Sequence, residues 1–253
     1  RRHTRYWRDW SSDVCSSDLQ EEITRVDEEL QMAAMVQREF LPRELPVVGG
    51  TRLAAMWRPA GYVSGDIYDV TRLDEDHIGL FIADAVGHGV PAALLTMVIC
   101  RSLPTKEIMG EDSYRIVPPA EALERLNQFM VSRQGRSARF ATAVYAVYNA
   151  RTRQVTIASA GHPAVLHLAS AEDGGDVREI GSTGGLLGIF EDEHYDEHRV
   201  TLDPGEALVL HSDGFERVCY PKLRTVEHLF EEEVLGDLAQ AACRVLAEAL
   251  HVE

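Results

Sequence analysis

The sequence predicts an α+β domain built on antiparallel sheets. Three observations carry this. Short apolar and aromatic runs bounded by Gly, Pro or Asp recur from residue 51 onward. Several are joined by connections short enough for hairpins. The helical segments are grouped, not interposed between successive strands, which argues against alternating βαβ units.

Residues 20–41 read as a helix. Ile23, Val26, Leu30, Ala33, Ala34, Gln37 and Leu41 follow three-and-four spacing, with charged residues between them. Pro42 and Pro46 bound its end. The stripe is narrow. It suits a coiled-coil seam with a second copy of the chain, or a helix packed on its own domain, about equally. Strands are expected at 51–57, 67–73 and 78–83, the last two joined through 73–78 as a hairpin. A buried helix follows over 91–103, with Pro91 at a permitted first-turn position. A second covers 119–133, with Leu123, Leu126, Phe129 and Met130 on one face. Strands return at 140–148, 154–160 and 164–168, the first two closed by the short 149–153 loop. Residues 199–202 and 206–211 are expected to pair around Asp203-Pro204-Gly205. Leu238, Ala241, Ala242, Val245, Leu246, Ala249 and Leu250 predict a closing amphipathic helix.

Composition narrows the function classes. Of 253 residues, 41 are acidic and 25 basic, a formal net charge of −16. Such a chain repels nucleic-acid phosphates, so DNA or RNA binding is not expected. Solubility accounts for most of the acidity, which also suits a site that collects cations. No apolar run approaches the roughly 20 residues of a membrane helix, and no signal peptide is visible. Cys15, Cys100, Cys219 and Cys243 form no CxxC pair, which excludes a disulfide scaffold or zinc site and leaves reduced thiols in the cytoplasm as the default. Residues 1–19 lack hydrophobic periodicity, and residues 9–19 read as a translated library adapter. They are treated as non-native, which leaves a linker helix over 20–46 and a domain over 47–253.

Three acidic positions stand out. Asp66 opens a strand after Val63-Ser64-Gly65. Asp84 ends the run Leu80-Phe81-Ile82-Ala83 ahead of Gly87-His88-Gly89. Asp213 follows a strand and precedes Gly214. A strand end fixes a carboxylate, and an adjacent glycine lets ligand and backbone approach. Carboxylates and carbonyls without Cys or His partners favour Mg²⁺ or Mn²⁺ over Zn²⁺. Each Asp taken alone reads more simply as a turn or helix cap; the three together favour a metal site. No Gly-Lys-Ser/Thr follows the glycines of 181–188, so they are no P-loop. No Gly-x-Ser-x-Gly elbow is present either. Glu227, Glu231, Glu232 and Glu233 read as a solvated helix face.

Longer motifs surround these acids. Pro59-Ala60-Gly61-Tyr62-Val63-Ser64-Gly65-Asp66-Ile67-Tyr68-Asp69 is similar to P-A-x-x-V-G-G-D-x-Y-D. The segment Ile82-Ala83-Asp84-Ala85-Val86-Gly87-His88-Gly89 is similar to I-A-D-V-S-G-H-G. Phe140-Ala141-Thr142-Ala143, Ser159-Ala160-Gly161-His162-Pro163, Gly184-Gly185-Leu186-Leu187-Gly188, Asp203-Pro204-Gly205-Glu206 and Ser212-Asp213-Gly214 follow in order. From about Leu30 to Asp213 the chain resembles PP2C-like serine/threonine phosphatase domains of the SpoIIE/RsbU type. The resemblance implies a sandwich of two antiparallel β-sheets flanked by α-helices. It implies two divalent cations, Mn²⁺ or Mg²⁺. Asp84 would bridge them, Ala85 would lend its carbonyl to one, Asp213 would hold the other, and Asp66 would bind directly or through water. Asp69, Gly87, His88 and Gly214 would stand near substrate or metal. For His88 a turn-stabilising role outweighs general acid, and His162 reads as structural. An activated water would attack phosphorus in line, with no phosphoenzyme.

The substrate class implied is phosphoserine or phosphothreonine on a bacterial regulator such as a STAS-type anti-sigma-factor antagonist. Residues 20–41 match a regulatory connector from an upstream sensor domain, a segment through which such chains form homodimers. The family's further strand with a D-D-x-T pattern is expected beyond Glu253, so its metal ligand is missing from this chain. That absence keeps a second reading open: a catalytically degenerate phosphatase-like signalling module. A third is a two-metal hydrolase of small phosphate esters.

Overall fold

A computed structural model describes residues 6–110, 113–135, 139–170, 176–182, 184–214 and 245–252. Helix α1 (Tyr6–Glu39) begins well before residue 20 and stops short of Pro42. Its last turn tightens, the Phe40 and Leu41 N–H groups donating to Gln37 and Arg38 carbonyls at 3.1 and 3.2 Å. The predicted stripe divides along the helix. Ala34 and Gln37 are buried, whereas Ile23 and Val26 are exposed.

Next come β1 (Thr51–Arg58), β2 (Asp66–Arg72), β3 (His77–Ala85) and α2 (Val90–Ser102). The small hairpin β4 (Lys106–Ile108) and β5 (Tyr114–Ile116) leads to α3 (Pro119–Ser132). Arg115 pins that hairpin to α3 through both carboxylate oxygens of Glu121 at 2.7 Å. Then follow β6 (Ala141–Asn149), β7 (Gln154–Ala160), β8 (Val165–Leu168), β9 (Val177–Ile180), β10 (His198–Thr201), β11 (Ala207–His211) and β12 (Val245–Val252). One antiparallel sheet has the order β10-β7-β6-β3-β2 and the other β1-β12-β11-β8-β9. This is the α+β sandwich that the sequence predicts.

Two cores lie on the two faces of the first sheet. Tyr68, Ile82, Val144 and Tyr148 face the second sheet and meet Leu208, Leu210 and Trp57. Ile67, Phe81, Ala143 and Tyr145 face α2 and α3, where Ile99, Leu123 and Leu126 are fully buried. Because both faces are covered, β3 and β6 read as continuous apolar runs, not alternating ones. Each large side chain so buried contributes roughly 1.5–3 kcal/mol. Phe81 and Tyr145 add an edge-to-face contact with ring centroids 6.5 Å apart.

Two expectations fail. Residues 199–202 and 206–211 form no hairpin. β10 pairs with β7 in one sheet, and β11 pairs with β8 and β12 in the other. The Asp203-Pro204-Gly205 turn is real, with the Glu206 N–H on the Asp203 carbonyl at 3.0 Å, but it hands the chain across the sandwich. The predicted closing helix fails over 245–250, which run within β12; residues 238–244 and the Glu227–Glu233 cluster lie outside the described residues. Leu246 and Leu250 satisfy both a helical and an alternating pattern. The open slot between β1 and β11 decides for the strand, since it leaves two sheet edges to be paired. Among the described residues, no helix is long and apolar enough to cross a membrane.

Candidate functional site

The hairpin β2–β3 sets Asp66 directly opposite Asp84, and Asp84 in turn opposite Thr142 on β6. Side chains alternate along a strand, so Asp66 shares the inward face with Tyr68 and Val70, and Asp84 shares it with Leu80 and Ile82. Both carboxylates therefore stand in the cleft between the sheets, at one end. Directly opposed residues have Cβ atoms about 4.5–5.5 Å apart, and like charges so placed repel. Asp66 is 2% exposed. With Asp84 half-buried opposite it, such a pair favours a positive partner, and an all-oxygen donor set suits a hard divalent cation.

The second sheet supplies the other side of the cleft. Ser212, one residue past β11, is buried and donates its hydroxyl to Asp66 Oδ2 at 3.3 Å. This brings Asp213, which is exposed, to the same end as Asp66 and Asp84. Trp57 on β1 adds a second tie, its indole N–H on the Asp66 carbonyl at 3.1 Å. Ala85 is held by its N–H on the Gly65 carbonyl at 2.9 Å. A Cβ at Gly65 would stand 3.1 Å from the Ala85 carbonyl oxygen, so glycine there keeps clear the carbonyl assigned as a ligand.

Other predicted residues are placed differently. Asp69 lies on the opposite face from Asp66, toward the helices, and accepts the Thr71 hydroxyl at 2.9 Å. Gly87 and His88 are exposed on the loop between β3 and α2, and Gly214 is buried beside Asp213. Asp84 and Ala85 line a cavity of about 180 Å³ with Phe140, Ala141 and Thr142. Asp66 and Asp213 are not among its walls. Among the described residues, no three His, Cys, Asp or Glu side chains converge on one point as a metal cluster. The residues thus fit cation binding through one opposed carboxylate pair and one backbone carbonyl, with Asp213 at the same end of the cleft.

Three supporting contacts are not evident from the motifs. Gln37 of α1 is fully buried and clamps Ser64 on both sides. Its amide donates to the Ser64 carbonyl at 2.7 Å, and its carbonyl accepts the Ser64 N–H at 2.9 Å. The Ser64 hydroxyl then accepts the Asp66 N–H at 3.1 Å. The one available signal was a glutamine within an otherwise apolar stripe. His162 packs behind Asp84, its Nδ1 2.7 Å from the hydroxyl of Thr142. Its Nε2 has the His211 backbone beside it but no hydrogen bond of normal geometry. Burial, with His211 nearby, pushes His162 down to about 3, so the ring is neutral.

Known proteins fit this geometry. The profile of stage II sporulation protein E (SpoIIE) matches residues 74–251. The chain belongs to the SpoIIE family. It is 31% identical over 189 residues to the phosphoserine phosphatase RsbU of Bacillus subtilis, a match covering 75% of this chain and 53% of that relative. The chain thus spans about half the length of that relative. The SiaA PP2C domain of Pseudomonas aeruginosa superposes with a TM-score of 0.71 at 23% identity, covering 92% of this chain and 98% of that one. RsbX in complex with magnesium superposes with a TM-score of 0.59 at 20% identity, covering 82% and 97%. The fold of this SpoIIE-family chain is the PP2C sandwich.

Proposed function

We propose that the chain is the catalytic domain of a metal-dependent serine/threonine protein phosphatase. One observation carries the reading: Asp66 and Asp84 oppose each other in the cleft, with Ser212 joining Asp66 to the strand end that bears Asp213. Asp66, Asp84, Asp213 and the Ala85 carbonyl would hold two divalent cations, Mn²⁺ or Mg²⁺. Bound there, such cations offset phosphoryl charge and lower the pKa of an attacking water. The protein's own part is to fix the donors on rigid strand ends and to keep Asp66 dehydrated. His88 is exposed on the adjoining loop, where a turn-stabilising role outweighs that of general acid to a leaving serine oxygen.

The name of RsbU supports phosphoserine as the group removed. The substrate we infer is a phosphorylated bacterial regulatory protein, such as a STAS-type anti-sigma-factor antagonist, met in the cytoplasm. The exposed Ile23 and Val26 on α1 support a helix that meets a second copy or an upstream sensor domain. We retain the boundaries of a non-native 1–19, a linker helix over 20–46 and a catalytic domain over 47–253.

A second reading has its own observation. No three-ligand cluster forms among the described residues, as a degenerate signalling module would have it. Release of phosphate from p-nitrophenyl phosphate and from a phosphoserine protein with added Mn²⁺ separates the two. Metal-dependent release that disappears in Asp84→Asn is expected. Absent turnover together with absent Mn²⁺ binding would establish the signalling module.

A further inference from the structure

A second cavity, larger than the one lined by Asp84, lies beside it. It is a trough of about 740 Å³ between α2 and α3, within the size range of ligand pockets. Leu94, Leu95, Val98 and Ile99 of α2 form one side, and Phe129 and Met130 of α3 the other. The trough begins at Val86 and Gly87, which also wall the smaller cavity of Asp84 and Ala85. It therefore starts at the candidate site and runs away from it along α2.

Two features describe the occupant. The first is unspent apolar surface: Leu94 is 54% exposed and Val98 49%, on a helix whose opposite side already fills the core. The second is charge. Of the described residues lining the trough, those with full charge are Arg133 and Arg139, both cationic, in a chain of net charge −16. Arg133 is held in place. The Arg133 guanidinium lies over the Phe129 ring, 4.4 Å from its centroid. The backbone of Arg139 is tied through its carbonyl, which accepts the Gln134 amide at 3.2 Å, and the residue is exposed at the rim. An apolar floor with a cationic rim is complementary to an apolar side chain flanked by carboxylates.

We propose that this trough is the docking groove for the substrate polypeptide. It takes one large apolar side chain and one acidic side chain a few residues from the phosphoserine, while the phosphate sits at Asp84. The groove sets which phosphoproteins are accepted, and a small ester makes no use of it. The inference rests on the phosphatase reading for what lies at the other end of the groove.

The test uses the full chain with Mn²⁺ and four fluorescent peptides carrying a non-hydrolysable phosphonate analogue of phosphoserine. They bear a neighbouring Leu and Glu, Leu alone, Glu alone, or neither. Fluorescence anisotropy is expected to rank the first at least tenfold tighter than the last. Val98→Asp should erase the preference for Leu, and Arg139→Glu the preference for Glu, with Lys in place of Glu restoring binding to Arg139→Glu. Hydrolysis of p-nitrophenyl phosphate should be unchanged in both variants, which also shows that they fold. Equal binding of the four peptides, no binding, or equal weakening of all four by both variants would overturn the proposal. So would light scattering that shows Val98→Asp splitting a dimer while peptide ranking stays intact, since the groove would then be filled by a second copy. Loss of p-nitrophenyl phosphate turnover in the unaltered chain, with peptide ranking intact, would sink the phosphatase reading and leave the groove standing.

Discussion

The two sheets contribute unequally to the cleft. The β2–β3–β6–β7 side is assembled from two local hairpins, each closed by a short connection. It delivers Asp66, Asp84 and Thr142 in one register. The other side gathers strands far apart in the chain: β1 pairs with β12, and β11 with β12 and β8. It lends the cleft Trp57, Ser212 and Asp213. The opposed carboxylate pair is thus a product of local folding, whereas the wall completing it depends on long-range closure, which is entropically the harder step.

The largest effect should follow from breaking the local side. Asp84→Asn is expected to lower Mn²⁺-dependent turnover beyond the ~100-fold that outer-shell groups typically cost. Asp213→Asn, on the exposed wall, should cost less turnover and act mainly by raising the Mn²⁺ concentration needed. A Mn²⁺ titration of p-nitrophenyl phosphate hydrolysis for both variants checks this. Equal losses at saturating metal would erase the asymmetry.

This asymmetry also explains how far the sequence could be read. The hairpins through 73–78 and 149–153, both major helices and the motifs around Asp66 and Asp84 depend on neighbours within a few residues, and they appear as expected. The pairing of 199–202 and the fate of 245–250 depend on partners some 40 to almost 200 residues away. A Pro-Gly turn looks the same whether it closes a hairpin or crosses between sheets. A mostly apolar octet such as Val245–Val252 fits both periods until an empty slot selects one. Gln37 escaped for a related reason: its partner, Ser64, lies 27 residues on and offers only backbone.

Gln37→Ala sharpens the comparison from outside both sheets. It strips two partners from the buried Ser64 backbone, and each unsatisfied group costs about 1–3 kcal/mol. Chemical denaturation should report a loss in that range or above it. Mn²⁺ affinity should fall as well, because Ser64 positions the Asp66 N–H. Unchanged metal affinity in a destabilised variant would reduce α1 to a packing element. Ser212→Ala removes the tie from β11 to Asp66. A ~10–100-fold weaker Mn²⁺ affinity is expected by calorimetry, with little change in stability. An unaltered affinity would mean that the second sheet supports the cleft by packing alone.

The effect that is smallest near neutral pH concerns the acid limb of stability. His162 is buried behind Thr142 and held neutral, with its value pushed down to about 3 from 6.5. The unfolded chain takes up a proton on this ring below pH 6.5, and the folded chain does so only near pH 3. The unfolded state therefore binds more protons throughout that window, so the stability associated with the neutral ring is complete above pH 6.5 and drains as pH falls toward 3. The slope from this one residue is about 1.4 kcal/mol per pH unit. His162→Gln keeps a polar partner for Thr142 and removes the titration. Its denaturation midpoint should thus fall less steeply between pH 6 and 4 than that of the unaltered chain, even if it begins lower at pH 7.5. Parallel curves would show that His162 is already protonated in the folded protein, and a charged ring behind Asp84 would then be one of the groups that offset the carboxylate pair.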